Sequence, residues 1–523
     1  VRKWERLTAD LDHAHATPLF LQLATAIAGD VRHGRLRPGD ALPGTRALAE
    51  RLGVHRSTVL AAYRELVAEG VLHARWGGGT FVAEPAEAIR QPPESAPAAP
   101  RTPSYTLSPP LPLPPMTPPD PPGAFMLFRA VPDVRLLPAE ALARAFRRAL
   151  ARHGRRLLGY ADPRGHERLR TELATMLSHT RALATTADDV FVMRGSQQGL
   201  YLVAQALLSP GDAVAVEELG NPAAWAALRQ AGAELLPLPV DDQGLDVDAL
   251  VALLERRTLR AIYVTPHHQF PTNAVMATGR RARLAALAAE HRFAIIEDDY
   301  DHEFHYEGRP LPPIAAGTGR PSVIYLGSLS KVLAPGLRVG YVVAPHAVLE
   351  RLASLRAICD MQGDAVVECA IAELFEDGDL LRHVLRMRQT YARRRDALAA
   401  ALTEHLAGAL AFRVPDGGMA IWARVQDGID VDAWSRAGAT KGVLFRGAGM
   451  FDFASRELPF LRLGFTYHDE AELSEAASRM ARALETAREA PRRHGRASRT
   501  ARVRAVTTGS ADAELPRPRR ARR

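Results

Sequence analysis

"LGSLSKVLAPGLRVGYVV", residues 326–343, places a lysine in a chain that otherwise uses arginine: of 67 basic residues three are lysine (Lys3, Lys331 and Lys441), which leaves 64 arginines. A lysine amine can condense with an aldehyde to form a Schiff base, whereas a guanidinium with a pKa above about 12 is never a free nucleophile. That chemistry is one answer to why Lys331 is a lysine, a solvated surface charge being the other. Ser328 and Ser330 flank it in a turn that ends the apolar run "VIYLG", and Arg338 follows seven residues on. Hydroxyls and an arginine suit a phosphate, and the lysine between them suits an aldehyde on the phosphate's carrier.

Pyridoxal 5'-phosphate (PLP) has both groups, and its pyridine nitrogen needs a carboxylate partner for the ring to act as an electron sink. Upstream, "AIIEDDYDHEF" offers Asp298 for that nitrogen and Tyr300 for the phenolic oxygen, both at the end of an apolar strand. Further upstream, "VFVMRGSQQGL" turns from strand to helix at Gly195, Ser196 and Gln197, where backbone amides at a helix start can hold a phosphate. Short Val- and Ile-rich runs, among them "DDVFVMRG", "DAVAVEE", "LRAIYVTP", "FAIIEDDY", "SVIYLGS" and "VGYVVAP", alternate with helical stretches such as "SQQGLYLVAQALL" and "GRRARLAALAAEHR". The alternation predicts an α/β unit with a mostly parallel sheet and functional loops at the carboxyl ends of its strands.

Residues 84–123 are dense in proline and read as an extended linker, since proline runs supply neither helix nor sheet ladders. It divides the 523 residues into an amino-terminal unit at 15–83 and a large unit at 124–487, followed by a basic tail at 488–523. From Pro491 onward eleven arginines face Asp512 and Glu514, a net of +9, so subtraction from the whole chain's +8 leaves the remainder near −1. The tail lacks aromatics and apolar periodicity and is expected to be disordered. With 47% hydrophobic residues, no apolar run long enough to span a membrane and no secretory leader at the start, the chain is expected to be cytoplasmic. Cys359 and Cys369 lack metal-ligand spacing and read as buried thiols, and no metal site is expected.

The amino-terminal segment shows three helical periods, the first marked by Leu19, Leu23, Ile27 and Val31. Thr45 is placed to cap the second, which ends at Gly53, and the third runs from about His55 to Glu69 before a Gly-rich hairpin. This is a winged helix-turn-helix pattern, in which the third helix enters the major groove of double-stranded operator DNA. Arg56, Ser57 and Thr58 would lie at its exposed start, while Arg46 and the wing residues Arg75 and Gly79 would approach phosphates. A three-helix module for protein contacts is the alternative, and eight arginines against six carboxylates over 15–84 do not separate the two.

Register does. Leu42, Pro43, Arg46, Leu48, Ala49, Leu52, Gly53, Arg56, Thr58, Val59, Ala62, Tyr63, Leu66, Glu69 and Gly70 closely resemble the GntR-type winged helix, with His55 standing where a Ser-like cap is common. "GSQQGL", "TPHHQFPTN", "EDDYDHEFHYEGRPLP" and "SLSKVLAPGLRVGYVVAP" resemble the successive motifs of fold-type I aminotransferases, in the version carried by MocR-type regulators of the GntR family. The resemblance implies Lys331 as the residue in Schiff-base linkage to PLP, Asp298 on the pyridine nitrogen and Tyr300 on the phenolic oxygen. Ser328, Ser330, Arg338, Gly195, Ser196 and Gln197 would hold the phosphate, Tyr160 would reach the phosphate of a neighbouring subunit in a homodimer, and Arg462 in "FLRLGF" would take an effector carboxylate. Two departures stand out: Asn221 in "EELGNPAAW" occupies a position where the family often has tyrosine, one that Trp225 is not expected to fill, and Asn273 stands where glycine is usual.

The reading that follows is a transcription regulator whose aminotransferase-like unit senses PLP or a small amino compound reacting with it. A working aminotransferase with an accessory DNA-binding head, and a PLP storage protein, are the alternatives. The regulated pathway, and the choice between activation and repression, stay open.

Overall fold

A computed structural model describes residues 11–12, 17–75, 78–83, 105–106, 121 and 123–489. The chain forms two compact units that part between Pro109 and Pro110. Most of the expected linker, and all of the basic tail beyond residue 489, lie outside the described residues.

In the small unit, α1 (Leu19–Arg32), α2 (Thr45–Leu52) and α3 (Arg56–Ala68) precede a hairpin of β1 (Leu72–Arg75) and β2 (Gly79–Val82). Apolar side chains at helical spacing, Leu23 and Ile27 on α1 and Val59, Ala62, Tyr63 and Leu66 on α3, close one core with Leu48, Leu72 and Val82. Gly53 ends α2 at φ +64°, a left-handed conformation that glycine adopts without steric cost. Thr45 does not cap α2. It is the first helical residue after Gly44, and its hydroxyl instead accepts from Arg56 Nε at 3.2 Å. His55 takes the capping role on α3, with its ring accepting from the Ser57 amide.

The large unit is built on a seven-stranded sheet. Its strands are β3 (Val190–Met193), β4 (Ala213–Glu217), β5 (Glu234–Leu238), β6 (Ala261–Val264), β7 (Ala294–Asp299), β8 (Val323–Ser328) and β9 (Gly340–Val343), in the order β3-β9-β8-β7-β6-β4-β5. Only β9 runs against its neighbours. The central strands are buried on both faces, which explains their continuous apolar runs. The edge strand β5 is less legible from sequence, because Pro237 interrupts it and an edge tolerates proline.

A second layer at the carboxyl end, also unforeseen as a sheet, pairs Leu410–Phe412, Ala420–Val425 and Phe460–Gly464 in antiparallel fashion. The long helix Asp379–Leu406 and the helix Glu470–Glu489 share its core. The last helix thus runs two residues past the expected boundary at 487. Cys369 is buried as expected, but Cys359 is exposed, at the last residue of its helix.

Candidate functional site

Strand ends bring the expected residues to one place. The carboxyl ends of β7 and β8, the start of the helix Gly195–Leu207, and the strand Phe460–Gly464 surround a cavity of about 440 Å³. Ser196, Gln197, Asp298, Tyr300, Ser328, Ser330, Lys331, Arg338 and Arg462 all line it. Gly195 sits immediately behind, at φ +79°, where an added Cβ would come within 2.8 Å of the Arg338 guanidinium. The missing side chain is what lets that guanidinium lie beside the helix start, and Arg338 Nη2 donates to the Arg194 carbonyl at 3.1 Å. Tyr160 lies outside the cavity and is 86% exposed.

Lys331 Nζ donates to the Ala130 carbonyl at 3.1 Å. Burial, with a smaller push from the positive Arg462, pulls its amine down to about 8. Asp298 is buried, and burial pushes its carboxyl up to about 6 against the hydrogen bond that Tyr263 donates to its Oδ2 at 2.7 Å. Oδ1 of the same carboxylate is buried without a hydrogen-bond partner among the described residues. Tyr300 donates to the His268 carbonyl at 3.1 Å. Arg462, only 7% exposed, stacks its guanidinium over Phe270 at 4.7 Å and leaves Nε without a partner.

The departures noted in the sequence have local explanations. Asn273 has φ +62°, the region that glycine enters freely and asparagine tolerates, and its side chain donates to the Ala420 carbonyl. Asn221 lines the cavity, and its side-chain oxygen accepts from the Ala223 amide at 3.0 Å, capping the helix Pro222–Gln230. Trp225 does not supply the absent aromatic: it is buried behind the cavity, edge-on to Phe453.

Several lining residues carried no signal in the sequence. Tyr263 reads as core within "LRAIYVTP", and Phe128, Phe270 and Arg446 are brought in by tertiary packing. Asp299 faces away from Asp298 and accepts from Tyr325 (2.5 Å) and His302 (2.9 Å). With His267 and His302 it forms a buried group whose ligand-type atoms lie within 4.8 Å of one another, an arrangement that the spacing in the sequence did not suggest.

On the head, Arg56 and Ser57 are exposed at the start of α3 and Arg46 is exposed on α2. Thr58 is half-buried. Arg75 and Gly79 are the paired residues at the hairpin tip, with the Arg75 guanidinium over Phe81 at 5.3 Å. One end of the three-helix unit and the hairpin tip thus offer cationic and hydroxyl groups, the set that contacts phosphates and base edges.

The family of bacterial regulatory proteins, gntR family, matches residues 19–82, and aminotransferase class I and II matches residues 131–480. The probable rhizopine catabolism regulatory protein MocR of Rhizobium meliloti is 32% identical over 437 residues, covering 83% of this chain and 87% of its own. The HTH-type transcriptional regulator TauR of Rhodobacter capsulatus is 32% identical over 488 residues, covering 88% and 96%. The HTH-type pyridoxine biosynthesis transcriptional regulator PdxR of Corynebacterium glutamicum is 33% identical over 379 residues, covering 72% and 78%. Among solved structures, the α-aminoadipate aminotransferase LysN of Thermus thermophilus superposes with a TM-score of 0.65 at 30% identity, covering 70% of this chain and 93% of its own. No described helix is long and apolar enough to cross a membrane.

Proposed function

The chain belongs to the MocR-type regulators, DNA-binding transcription regulators of the gntR family that carry a class I and II aminotransferase unit, and from that premise we propose that it binds PLP at Lys331 and senses PLP or an amino compound there. The observation that carries the reading is a pair of groups facing one cavity: an amine held near 8 by burial, and a buried carboxylate with one oxygen unpartnered.

These groups fit the cofactor. Lys331 would take its aldehyde, and Oδ1 of Asp298 its ring nitrogen. Tyr300 would reach the phenolic oxygen. Arg338, Ser328, Ser330 and the helix start at Gly195, Ser196 and Gln197 would hold the phosphate, where N–H groups and a cation combine. Bound PLP supplies an electrophile and electron sink for amino compounds. Arg462 would orient a carboxylate of such a compound by its planar fork.

Coupling to DNA requires that the ligand bind two arrangements of the protein with different affinity. We place the sensor in a homodimer, in which the exposed Tyr160 of each chain would serve the partner's phosphate site and two heads would read a paired operator. Arg56, Ser57 and Thr58 would contact base edges, and Arg46, Arg75 and Gly79 the backbone. The name of PdxR, a regulator of pyridoxine biosynthesis, lends weight to PLP itself as signal, and that of MocR, a regulator of rhizopine catabolism, to a metabolite.

An absorbance spectrum of the purified chain with PLP, followed by promoter-fragment titration with and without it, tests the reading. A visible band that Lys331→Ala abolishes, together with a PLP-dependent change in DNA affinity, is the expected result. No band removes the cofactor. Turnover with amino donors and unchanged DNA affinity would favour a working aminotransferase, the second reading, which the complete set of Lys331, Asp298 and Arg462 also supports.

A further inference from the structure

The cavity has more positive charge than one amino-acid carboxylate and one cofactor need. Arg338, Arg446, Arg462 and Lys331 line it against a single lining carboxylate, Asp298, while the Arg129 guanidinium is drawn to the Tyr467 ring, which is not part of the lining. If the proposed assignments hold, Lys331 is used by the aldehyde, Arg338 by the phosphate and Arg462 by one carboxylate. Arg446 then has no assigned anion.

Gly447 and Leu461 form an isolated antiparallel bridge, and Arg446 and Arg462 are the chain neighbours of those two residues, so the bridge brings both arginines to the same cavity. Like charges lining one cavity repel unless an anion lies between them. No carboxylate among the described residues forms an ion pair with either arginine. After burial and the Tyr300 phenol, the carboxylate that acts on Arg462 is Asp301, which is itself bonded to His268 at 2.7 Å. Two aromatic rings hold the guanidinium groups to separate places: Arg462 rests over Phe270 and Arg446 over Phe128, each at 4.7 Å. That separation disfavours both arginines closing on one small anion and favours two anions on one molecule.

We infer that the sensed compound is an amino acid with two acidic groups, its α-carboxylate on Arg462 and a side-chain carboxylate or sulfonate on Arg446. The inference rests on the cofactor-binding reading above and names the ligand class of that same site. Arg446 is thereby a specificity-determining residue.

The test uses the full chain loaded with PLP, with the cofactor spectrum followed during titration by matched compounds: L-glutamate against L-norvaline, and L-homocysteate as the sulfonate. The diacids should bind at least about tenfold more tightly than norvaline, as expected for one charge-assisted pairing. Arg446→Gln should bring glutamate down to the affinity of norvaline, and Arg446→Met, which keeps an apolar stem on Phe128, should do the same. The cofactor band reports that each variant is folded. Equal affinity for glutamate and norvaline, no response to any of the three, or an equal weakening of both by Arg446→Gln as for a shared clamp, overturns the inference. A wild-type chain that shows no cofactor band overturns the reading beneath it, so the two failures are distinguishable.

Discussion

Tyr263 donates to Oδ2 of Asp298 at 2.7 Å, and so leaves Oδ1 as the oxygen free to meet a ligand. The phenol is fully buried and held well above its usual range by burial and by the carboxylate itself, so it remains a donor at any working pH. Tyr263→Phe removes one hydrogen bond to a charged acceptor, about 1.5–3 kcal/mol, and is expected to weaken PLP binding by at least about tenfold. Asp298→Asn, which removes the charge, should weaken it further. Equilibrium dialysis against PLP measures both.

The pH dependence of cofactor capture has a defined sign. An amine attacks an aldehyde only when neutral, so a group lowered from 10.5 to about 8 gains reactivity as pH rises through 8 and levels off above it. Because Arg462 contributes to the lowering, Arg462→Gln should move the midpoint upward. Stopped-flow absorbance of the PLP-free chain mixed with PLP between pH 6.5 and 9.5 reads the midpoint.

Two arginines of the head should respond differently to substitution. Arg56→Ala, at the start of α3, is expected to cost about 1–3 kcal/mol of operator affinity and to relax specificity. Arg46→Ala should weaken binding to specific and unrelated duplexes alike, and reduce the dependence of log affinity on log salt by about one. Fluorescence titrations at several salt concentrations separate the two.

Gly53 carries the turn between α2 and α3 at φ +64°, with open space where a Cβ would go. The cost of Gly53→Ala is therefore conformational alone, about 1 kcal/mol. Amide exchange across Thr45–Ala68 should quicken about fivefold, and unchanged exchange would show that the turn carries no such constraint.

What could be read in the sequence was what depends on residue type at an element's end. Asp298 lies at the end of an apolar strand and Lys331 and Arg338 between two others, where polar groups of unusual type have few structural reasons to be, and Gly53 follows a helical period that needed a stop. Fifteen positions of the head hold a fixed register, so its pattern survived without structural knowledge. Side chains whose function depends on pairing between distant segments gave no such sign. Tyr263 looks like any strand aromatic until β6 lies beside β7. Arg446 looks like a loop cation until Gly447 meets Leu461. The edge strand β5 was hidden by Pro237, and Thr45 looked like a cap because its hydroxyl suits that task, although Gly44 occupies the capping position.

Strand β7 carries two neighbouring aspartates whose surroundings could hardly differ. Asp298 opposes Leu326 and opens on the cavity, whereas Asp299 opposes Gly327 and is tied into Tyr325 and His302. Chemically the two side chains are interchangeable, so only the alignment of β7 with β8 tells them apart. A slip by a single residue would put Asp299 at the address of Asp298. The apolar runs that lock this alignment, distant from any ligand, therefore act as a vernier for the site: they decide which of two identical carboxylates the cavity sees.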